Sequence, residues 1–188
     1  MSGRRPPPDQ GGPGFFDDPD TAADVEASPP PPSDRRLVVE ADGGSRGNPG
    51  PAAYGALVRD AGTGETLLAE GLAIGRATNN VAEYRGLIAG LEMAREVDPR
   101  AAVEVRMDSK LVIEQMAGRW KIKHPDMLPL AMRASTLRPP EVVWTWVPRA
   151  ENKRADALVN RALDGTPVPR AEQPAPSGRA PGAAGASL

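Results

Sequence analysis

The sequence lacks cysteine and contains a single histidine, His124. Without cysteine it can form neither a disulfide bond nor a thiolate metal site, and this composition fits a reducing compartment. Without a histidine cluster, a zinc site is disfavoured as well. We expect His124, which precedes a proline in "IKHPDM", to have a structural rather than a catalytic role.

Long apolar segments are also absent. No run of residues approaches the length that a membrane-spanning helix needs. The two arginines near the N-terminus are followed by prolines and acidic residues, not by the apolar stretch of a signal peptide. The expected location is therefore the cytoplasm, without a membrane partner.

Both ends of the chain are rich in proline and poor in apolar residues. Of the 22 prolines, nine lie in residues 1–34 and five in residues 166–188. Such segments bury too little apolar surface to offset the entropy cost of ordering them. We therefore expect a disordered N-terminal tail (1–34), a folded domain (35–165) and a disordered C-terminal tail or linker (166–188).

The charge is divided in the same way. Residues 35–165 carry 19 Lys and Arg against 17 Asp and Glu, whereas the two ends carry 4 against 8. The net charge of −2 for the whole chain thus hides a slightly basic central part. This balance does not by itself predict a nucleic-acid partner, but it does not oppose one either.

The first half of the central part reads as three strands and a helix. Alternation of apolar residues predicts a strand at 35–44, and residues 52–75 predict a hairpin around an "AGTGE" turn. From Asn79 the apolar residues recur every three or four positions, which predicts a helix that Asn79 or Asn80 could cap and that Pro99 ends.

The second half predicts two more strands, at 101–109 and 141–148, separated by two short helices and followed by an amphipathic helix that Gly165 ends. This order predicts a mixed α/β domain with a five-stranded sheet flanked by helices. Its first three strands are antiparallel, and helical crossovers join them to two parallel strands. In such sheets, sites form beyond the carboxyl ends of the parallel strands.

Four acidic residues occupy unusual positions. Asp42 lies at the end of the first predicted strand, Glu83 in the first turn of the long helix, Asp108 at the end of the fourth strand and Asp156 near the start of the last helix. Each one alone has an ordinary explanation as a turn, cap or helix-dipole residue. If they converge on one sheet edge, their charges would require a cation between them. Oxygen ligands of this kind favour Mg²⁺ or Mn²⁺, which in pairs support phosphoryl transfer.

Four blocks carry these acids and resemble, in order, the blocks of type 1 ribonuclease H: "ADGGSRGNPGPAAYGA", "TNNVAEYRGLIAGLE", "RMDSKLVIEQM" and "WTWVPRAENKRADALVN". The resemblance spans about residues 37–164. Within this family, the sequence most resembles the N-terminal ribonuclease H domain of actinobacterial bifunctional ribonuclease H/acid phosphatase proteins, for which the segment "GRWKIKHPDM" is typical. The sequence contains no phosphatase segment, and the residues after Pro167 resemble the start of an interdomain linker.

The resemblance implies a ribonuclease H-like fold and an enzyme that cuts the RNA strand of RNA–DNA hybrids, leaving 3′-hydroxyl and 5′-phosphate ends. It also implies two Mg²⁺ ions, for which Mn²⁺ would substitute. By position in the motifs, Asp42 would bridge the two ions, and Asp156 would hold one of them. Glu83 and Asp108 would hold the other ion near the nucleophilic water, with Glu83 also near the ribose.

The resemblance further implies contacts to the hybrid. Gly43 and Gly44 would let the backbone approach the minor groove, where the ribose 2′-hydroxyl distinguishes RNA from DNA. Polar residues that match the substrate-binding positions are Asn48, Thr78, Asn79 and Asn80. Helix capping by Asn79 or Asn80, and a turn at Asn48, are the alternative explanations.

A basic segment with a tryptophan follows Asp108. Its candidate substrate-binding residues are Lys110, Trp120, Lys121 and Lys123. Such a cluster can neutralise phosphates and stack on a sugar or base, although Trp120 could instead be a half-buried residue at a helix end. The basic segment is shorter than in many bacterial relatives, so we expect weaker affinity and a steep salt dependence.

The segment "VPRAEN" departs from many relatives, which have a glycine-rich loop with a histidine here. Arg149 is a candidate for a supporting role, and Glu151 for positioning the second metal ion. A surface arginine and an acid at a helix N-terminus are the ordinary explanations for these two.

Two other function classes stay open from the sequence. One is a hybrid-binding module without chemistry, and the other is a different nuclease of the same fold, such as a resolvase or a 3′ exonuclease. The expected partner is an RNA–DNA hybrid, with double-stranded RNA as a further substrate to test, and the expected state is a monomer.

Overall fold

The computed structural model of the protein describes residues 33–172. Within these residues, the strands are β1 Arg36–Ser45, β2 Gly50–Asp60, β3 Thr66–Ala77, β4 Ala102–Met107, β5 Val142–Trp146 and β6 Val168–Glu172. The α-helices of the same part are α1 Asn79–Val97, α2 Lys110–Met116, α3 Leu128–Thr136 and α4 Lys153–Leu163, and a 3₁₀ turn covers Arg149–Glu151.

The strands form one mixed sheet in the order β5-β4-β1-β2-β3-β6. Strands β1, β2 and β3 pair antiparallel, and β4 pairs in parallel with both β1 and β5. The predicted mixed α/β architecture is therefore confirmed, including the antiparallel half and the parallel half.

The expected number of five strands is wrong, because β6 adds a sixth, antiparallel to β3. This strand lies inside the segment 166–188 that the composition assigned to a tail. Backbone pairing with β3 attaches this strand, and so do the ion pairs of Arg170 with Glu70 on β3 and with Glu92 and Glu96 on α1. The rest of both predicted tails, residues 1–32 and 173–188, lies outside the described residues.

Helices cover both faces of the sheet. On one face, α1 packs on β1 and β2, and apolar residues at alternate positions such as Val39 and Val105 fill the main core. On the other face, α4 packs on β2 and β3 around a small cluster that includes Ala53 and Val159. Successive side chains of a strand point to opposite faces. Residues that alternate with the main-core positions of β1 and β4 therefore lie on the α4 side.

Strand β1 continues three residues beyond Asp42, which corrects the expectation that Asp42 lies at the end of the strand. The extension is paired with β2 up to Ser45, opposite Ala52. This part of β1 is also in close contact with α1. A Cβ atom on Gly43 would lie 2.1 Å from the backbone of Ala82 and Glu83, and one on Gly86 would lie 2.5 Å from the carbonyl oxygen of Asp42. Glycine is therefore required at Gly43 by packing, independently of any contact with substrate.

The start of α1 also differs from the prediction. The cap is Thr78, whose hydroxyl accepts a hydrogen bond from the backbone N–H of Val81 at 3.3 Å, and not Asn79 or Asn80. The helix ends at Val97, two residues before the expected stop at a proline. In residues 33–172, no helix is long and apolar enough to cross a membrane.

Candidate active site

Two of the four acids lie at neighbouring positions of the parallel part of the sheet. Glu40 of β1 pairs with Arg106 of β4. Two residues further along the chain in each case are Asp42, within β1, and Asp108, which directly follows β4 and does not end it as expected. Neighbouring strands are about 4.8 Å apart. Both acids alternate with main-core residues, so both lie on the α4 side of the sheet. The carboxylate of Asp42 is 8% exposed and accepts a hydrogen bond from the backbone N–H of Gly43 at 2.8 Å.

Glu83 comes from the first turns of α1, which the contact with Gly43 holds against β1. Its carboxylate accepts hydrogen bonds from the side-chain amide of Asn79, at 2.9 Å, and from the hydroxyl of Ser109. Ser109 directly follows Asp108 and also caps α2. The hydroxyl therefore ties Glu83 to the end of β4.

Asp156 lies in the first turn of α4. Its carboxylate accepts hydrogen bonds from the guanidinium of Arg149 and from the side-chain amide of Asn160, the latter at 2.9 Å. The contact with Arg149 is an ion pair, and it raises the pKa of the guanidinium. Arg149, a candidate for a supporting role, thus lies directly on one of the four acids.

Asn152 is a site residue that the sequence analysis missed. It is 1% exposed, and its side-chain amide donates to the carbonyl oxygen of Ala41 at 2.9 Å and to the carboxylate of Asp108 at 2.8 Å. One side chain therefore joins β1, β4 and the start of α4. The available signal was an asparagine before a helix, but that signal predicts a cap, and the Asn152 side chain makes no capping hydrogen bond.

The electrostatics show that the acids are close enough to repel one another. Burial raises the pKa of Asp42 to about 7, assisted by the charges of Asp108, Asp156 and Glu83 and opposed by the hydrogen bond from Gly43. Burial also raises the pKa of Glu83 to about 7. The charge of Asp108 adds to this effect, while the hydrogen bonds from Ser109 and Asn79 oppose it.

These side chains fit divalent cations in their chemistry. The donors are carboxylate oxygens, which Mg²⁺ and Mn²⁺ prefer, and a cation would relieve the repulsion that raises the two pKa values. In the arrangement that the structure describes for residues 33–172, no group of three or more acidic or histidine side chains could hold a metal ion. Each of the four acids is instead hydrogen-bonded to its own neighbours, so binding an ion would replace some of these contacts.

Of the polar and glycine residues predicted to contact the hybrid, those at the start of α1 and in the β1–β2 loop lie close to one another, whereas Gly44 lies on the α4 side. The side-chain oxygen of Asn48 accepts a hydrogen bond from the backbone N–H of Asn79 at 3.2 Å, which joins the β1–β2 loop to the start of α1. Thr78 and Asn80 flank Asn79 and are half-buried. Gly44 lies on the α4 side, where an added Cβ would be 3.1 Å from Val159.

The basic candidates form a second group, on α2 and the segment that follows it. Lys110 is the exposed first residue of α2. Trp120 is 48% exposed, and Lys121 and Lys123 are exposed as well. This exposure fits both a stacking role for Trp120 and the alternative of a half-buried residue at a helix end.

Two of the remaining candidates lie in turns. Glu151 is exposed in the 3₁₀ turn, and its charge contributes to raising the pKa of Arg106 on β4. The role of Glu151 in positioning a second metal ion stays a prediction. His124 is exposed, and its ring accepts a hydrogen bond from the backbone N–H of Asp126 at 3.3 Å, a contact consistent with a structural role.

Comparisons with known proteins give consistent matches over this part of the chain. A family profile described as "Reverse transcriptase-like" matches residues 40–162. The chain is 57% identical over 131 residues to the bifunctional protein Rv2228c of Mycobacterium tuberculosis, an alignment that covers 69% of this chain and 36% of that protein. The chain therefore spans about a third of the length of this curated relative.

Two solved structures are similar over nearly their whole length. The N-terminal RNase H domain of Rv2228c from Mycobacterium tuberculosis, solved as a fusion with maltose-binding protein, is 55% identical with a TM-score of 0.66, and the match covers 70% of this chain and 96% of that chain. LC11-RNase H1, solved in complex with an RNA/DNA hybrid, is 41% identical with a TM-score of 0.65, and the match covers 69% of this chain and 97% of that one.

Proposed function

Since the chain belongs to the type 1 ribonuclease H family, we propose that it is an endonuclease that hydrolyses the RNA strand of RNA–DNA hybrids and leaves 3′-hydroxyl and 5′-phosphate ends. One observation carries this proposal beyond family membership. The buried carboxylate of Asp42 has a pKa raised to about 7 by burial and by the charges of three other acids, which are the ones that the family motifs mark. A protein that only bound a hybrid would gain nothing from such acids beside a phosphate backbone.

Two divalent ions, Mg²⁺ or Mn²⁺, would be held by the four acids Asp42, Glu83, Asp108 and Asp156. When bound, such ions stabilise the attacking and leaving oxygens of a phosphodiester as it is hydrolysed. The fit rests on the all-oxygen donor set and on the unfavourable charge that a cation would relieve.

The neighbours of the acids have an orienting role in this proposal. Asn152 restrains the carboxylate of Asp108, and Ser109 and Asn79 restrain that of Glu83. A side chain held in place before the substrate binds does not have to be ordered during the reaction. Arg149 would keep Asp156 neutralised while no ion is bound, because the two side chains form an ion pair.

Contacts with the hybrid are assigned to two groups. The polar residues at the start of α1 and in the β1–β2 loop are Asn48, Thr78, Asn79 and Asn80, which lie near Glu83 in the fold. The basic and aromatic residues on and after α2 are Lys110, Trp120, Lys121 and Lys123. They would neutralise phosphates and offer a stacking surface. The similarity to LC11-RNase H1, which was solved in complex with an RNA/DNA hybrid, supports a hybrid as the partner.

A gel assay with end-labelled, sequence-matched duplexes tests the proposal. The duplexes are an RNA–DNA hybrid, double-stranded RNA and double-stranded DNA, each incubated with Mg²⁺, with Mn²⁺ and with EDTA. We expect metal-dependent internal cuts in the RNA strand of the hybrid and no cuts in double-stranded DNA. The double-stranded RNA lane determines whether that duplex is a second substrate.

Two variants make the assay specific to the site. Asp108→Asn keeps the size of the side chain and removes one acid, and we expect cleavage to fall by a factor of about 100 or more, in the range seen when an essential charged group is removed. The matched control is Glu141→Gln. Glu141 is exposed and precedes the first residue of β5, at the end of the strand that lies away from the four acids. This variant should cleave the hybrid at the parental rate. Tight hybrid binding without cleavage in either metal would contradict the enzyme assignment and favour a binding module, whereas cuts only from an end would indicate an exonuclease.

A further inference from the structure

A buried side-chain amide connects α1, the helix that carries Glu83, to residues 119–123, the part of the basic segment that follows α2. Gln115, in α2, is 8% exposed. Its side-chain oxygen accepts a hydrogen bond from the hydroxyl of Tyr84, which is fully buried, at 2.8 Å. Its side-chain nitrogen donates to the backbone carbonyl oxygen of Lys121 at 3.3 Å. Both ends of the amide are therefore used, one toward α1 and one toward the segment after α2.

The segment that receives this hydrogen bond has little other support. Residues 121–124 belong to no helix or strand. Among the hydrogen bonds within residues 33–172, only the one from Gln115 reaches the backbone of residues 121–123. The second attachment is the side chain of Ile122, which is half-buried and packs against the main core.

These two attachments hold the segment at neighbouring positions. Lys121 and Lys123, on either side of the half-buried Ile122, are both exposed. A loop fixed in its binding conformation binds more tightly than a mobile one, because less conformational entropy is lost on association. The Gln115 amide supplies such a restraint at the point where the basic side chains begin.

We propose that Gln115 is a positioning residue for substrate binding, which uses its bridge between Tyr84 and the Lys121 carbonyl to hold the basic segment 119–123 ready for the phosphates of the hybrid. This inference rests on the proposed function, because it takes the hybrid as the ligand of that segment. The side-chain hydrogen bonds of Gln115 go to Tyr84 and Lys121, and to none of the four acids. Its effect is therefore expected on binding, and not on the chemical step.

The variant Gln115→Met tests this inference, because methionine has similar volume and flexibility but cannot donate to the carbonyl group. Steady-state cleavage of a hybrid with Mg²⁺ should show KM raised about two- to tenfold with kcat within about twofold of the parent, the range for loss of one hydrogen bond. Fluorescence anisotropy with a labelled hybrid in EDTA should show a matching loss of affinity. Hydrogen–deuterium exchange should become faster in peptides covering 119–124, while β1 and α1 stay protected.

A control for a general loss of stability is Ser135→Ala, which removes the hydroxyl of an exposed serine that donates to the carbonyl oxygen of Ala131 within α3. This variant should keep the parental KM and the parental exchange at 119–124. Parental affinity together with parental exchange in Gln115→Met would overturn the inference, as would a fall in kcat at unchanged KM.

The proposed function is tested separately by the double variant Lys121→Ala/Lys123→Ala. If this variant binds the hybrid as well as the parent, the basic segment does not bind substrate, and the assignment of the segment fails. The exchange measurement on Gln115→Met still decides, in that case, whether the amide holds the segment. If the double variant loses affinity and Gln115→Met does not, only the inference about Gln115 fails.

Discussion

Replacing Asp42 by asparagine should stabilise the metal-free protein at pH 8 while it removes activity. The folded protein holds the pKa of Asp42 at about 7, against an ordinary value of 3.8. Between pH 4 and pH 7 the folded state therefore keeps a proton that the unfolded state has lost, and the free energy of unfolding falls as the pH rises. Above pH 7 the carboxylate is charged in both states, and the full free-energy cost of burying its charge destabilises the folded state.

The difference between the two pKa values corresponds to at most about 4 kcal/mol. Relaxation of the side chain and entry of water reduce this cost, and we expect about 2 kcal/mol to be recovered in Asp42→Asn at pH 8. For a domain of this size, that amount is a rise in Tm of roughly 6 °C. Asparagine can still accept the hydrogen bond from Gly43, so the substitution costs little in geometry.

Thermal unfolding followed by circular dichroism in EDTA at pH 5 and pH 8 measures this effect. The difference between variant and parent is the readout, because other acids also titrate. The pKa values of Asp60 and Asp98 are lowered, so their contributions are lost only on acidification below this range. Adding Mg²⁺ should raise the Tm of the parent more than that of the variant, since the variant lacks one ligand.

Glu141→Gln serves as the control, because Glu141 is exposed and lies away from the four acids of the site. This variant should have the Tm of the parent at both pH values. If the Tm of Asp42→Asn at pH 8 equals or falls below that of the parent, the repulsion inferred for Asp42 does not exist. The reason for placing cations between these acids would then be lost.

Two further predictions concern residues that hold the domain together. Arg170→Ala should lower the free energy of unfolding by about 2–4 kcal/mol in urea denaturation, because it leaves the buried Glu70 without its cation. The control is Arg161→Ala, which replaces an exposed arginine of α4. An equal effect of the two variants would refute a role for β6 in stability. Asn152→Ala should cost about 1–3 kcal/mol in the same assay, because the carbonyl oxygen of Ala41 and the carboxylate of Asp108 lose a buried donor; a loss below about 0.5 kcal/mol would show that water replaces the amide.

The family and the main architecture could be predicted from the amino-acid sequence. Alternating apolar residues marked the strands, and a three- to four-residue period marked α1, because these periods follow directly from backbone geometry. The four acids were recognised from their positions at strand ends and helix starts and from the family motifs that surround them. The resemblance to type 1 ribonuclease H is confirmed over the same part of the chain, and the roles of the individual acids stay predictions.

The polar residues that connect the site could be identified only from the folded protein. Asn152 and Gln115 looked like ordinary helix residues, since their partners, Asp108 and the Lys121 carbonyl, become neighbours only after folding. The same holds for Gly43, which sequence reasoning linked to substrate, whereas the fold requires it for the contact with α1.

The sixth strand also depended on tertiary contacts. Its sequence, "VPRAE", contains a proline and two charged residues and has no apolar alternation, so local pattern could not mark it as a strand. Arg170 stabilises it through Glu70, Glu92 and Glu96, which lie at least 74 positions away in the chain. Apolar periodicity is a local property and can be read from the sequence, but ion pairs and buried amide bridges depend on which distant residues the fold brings together.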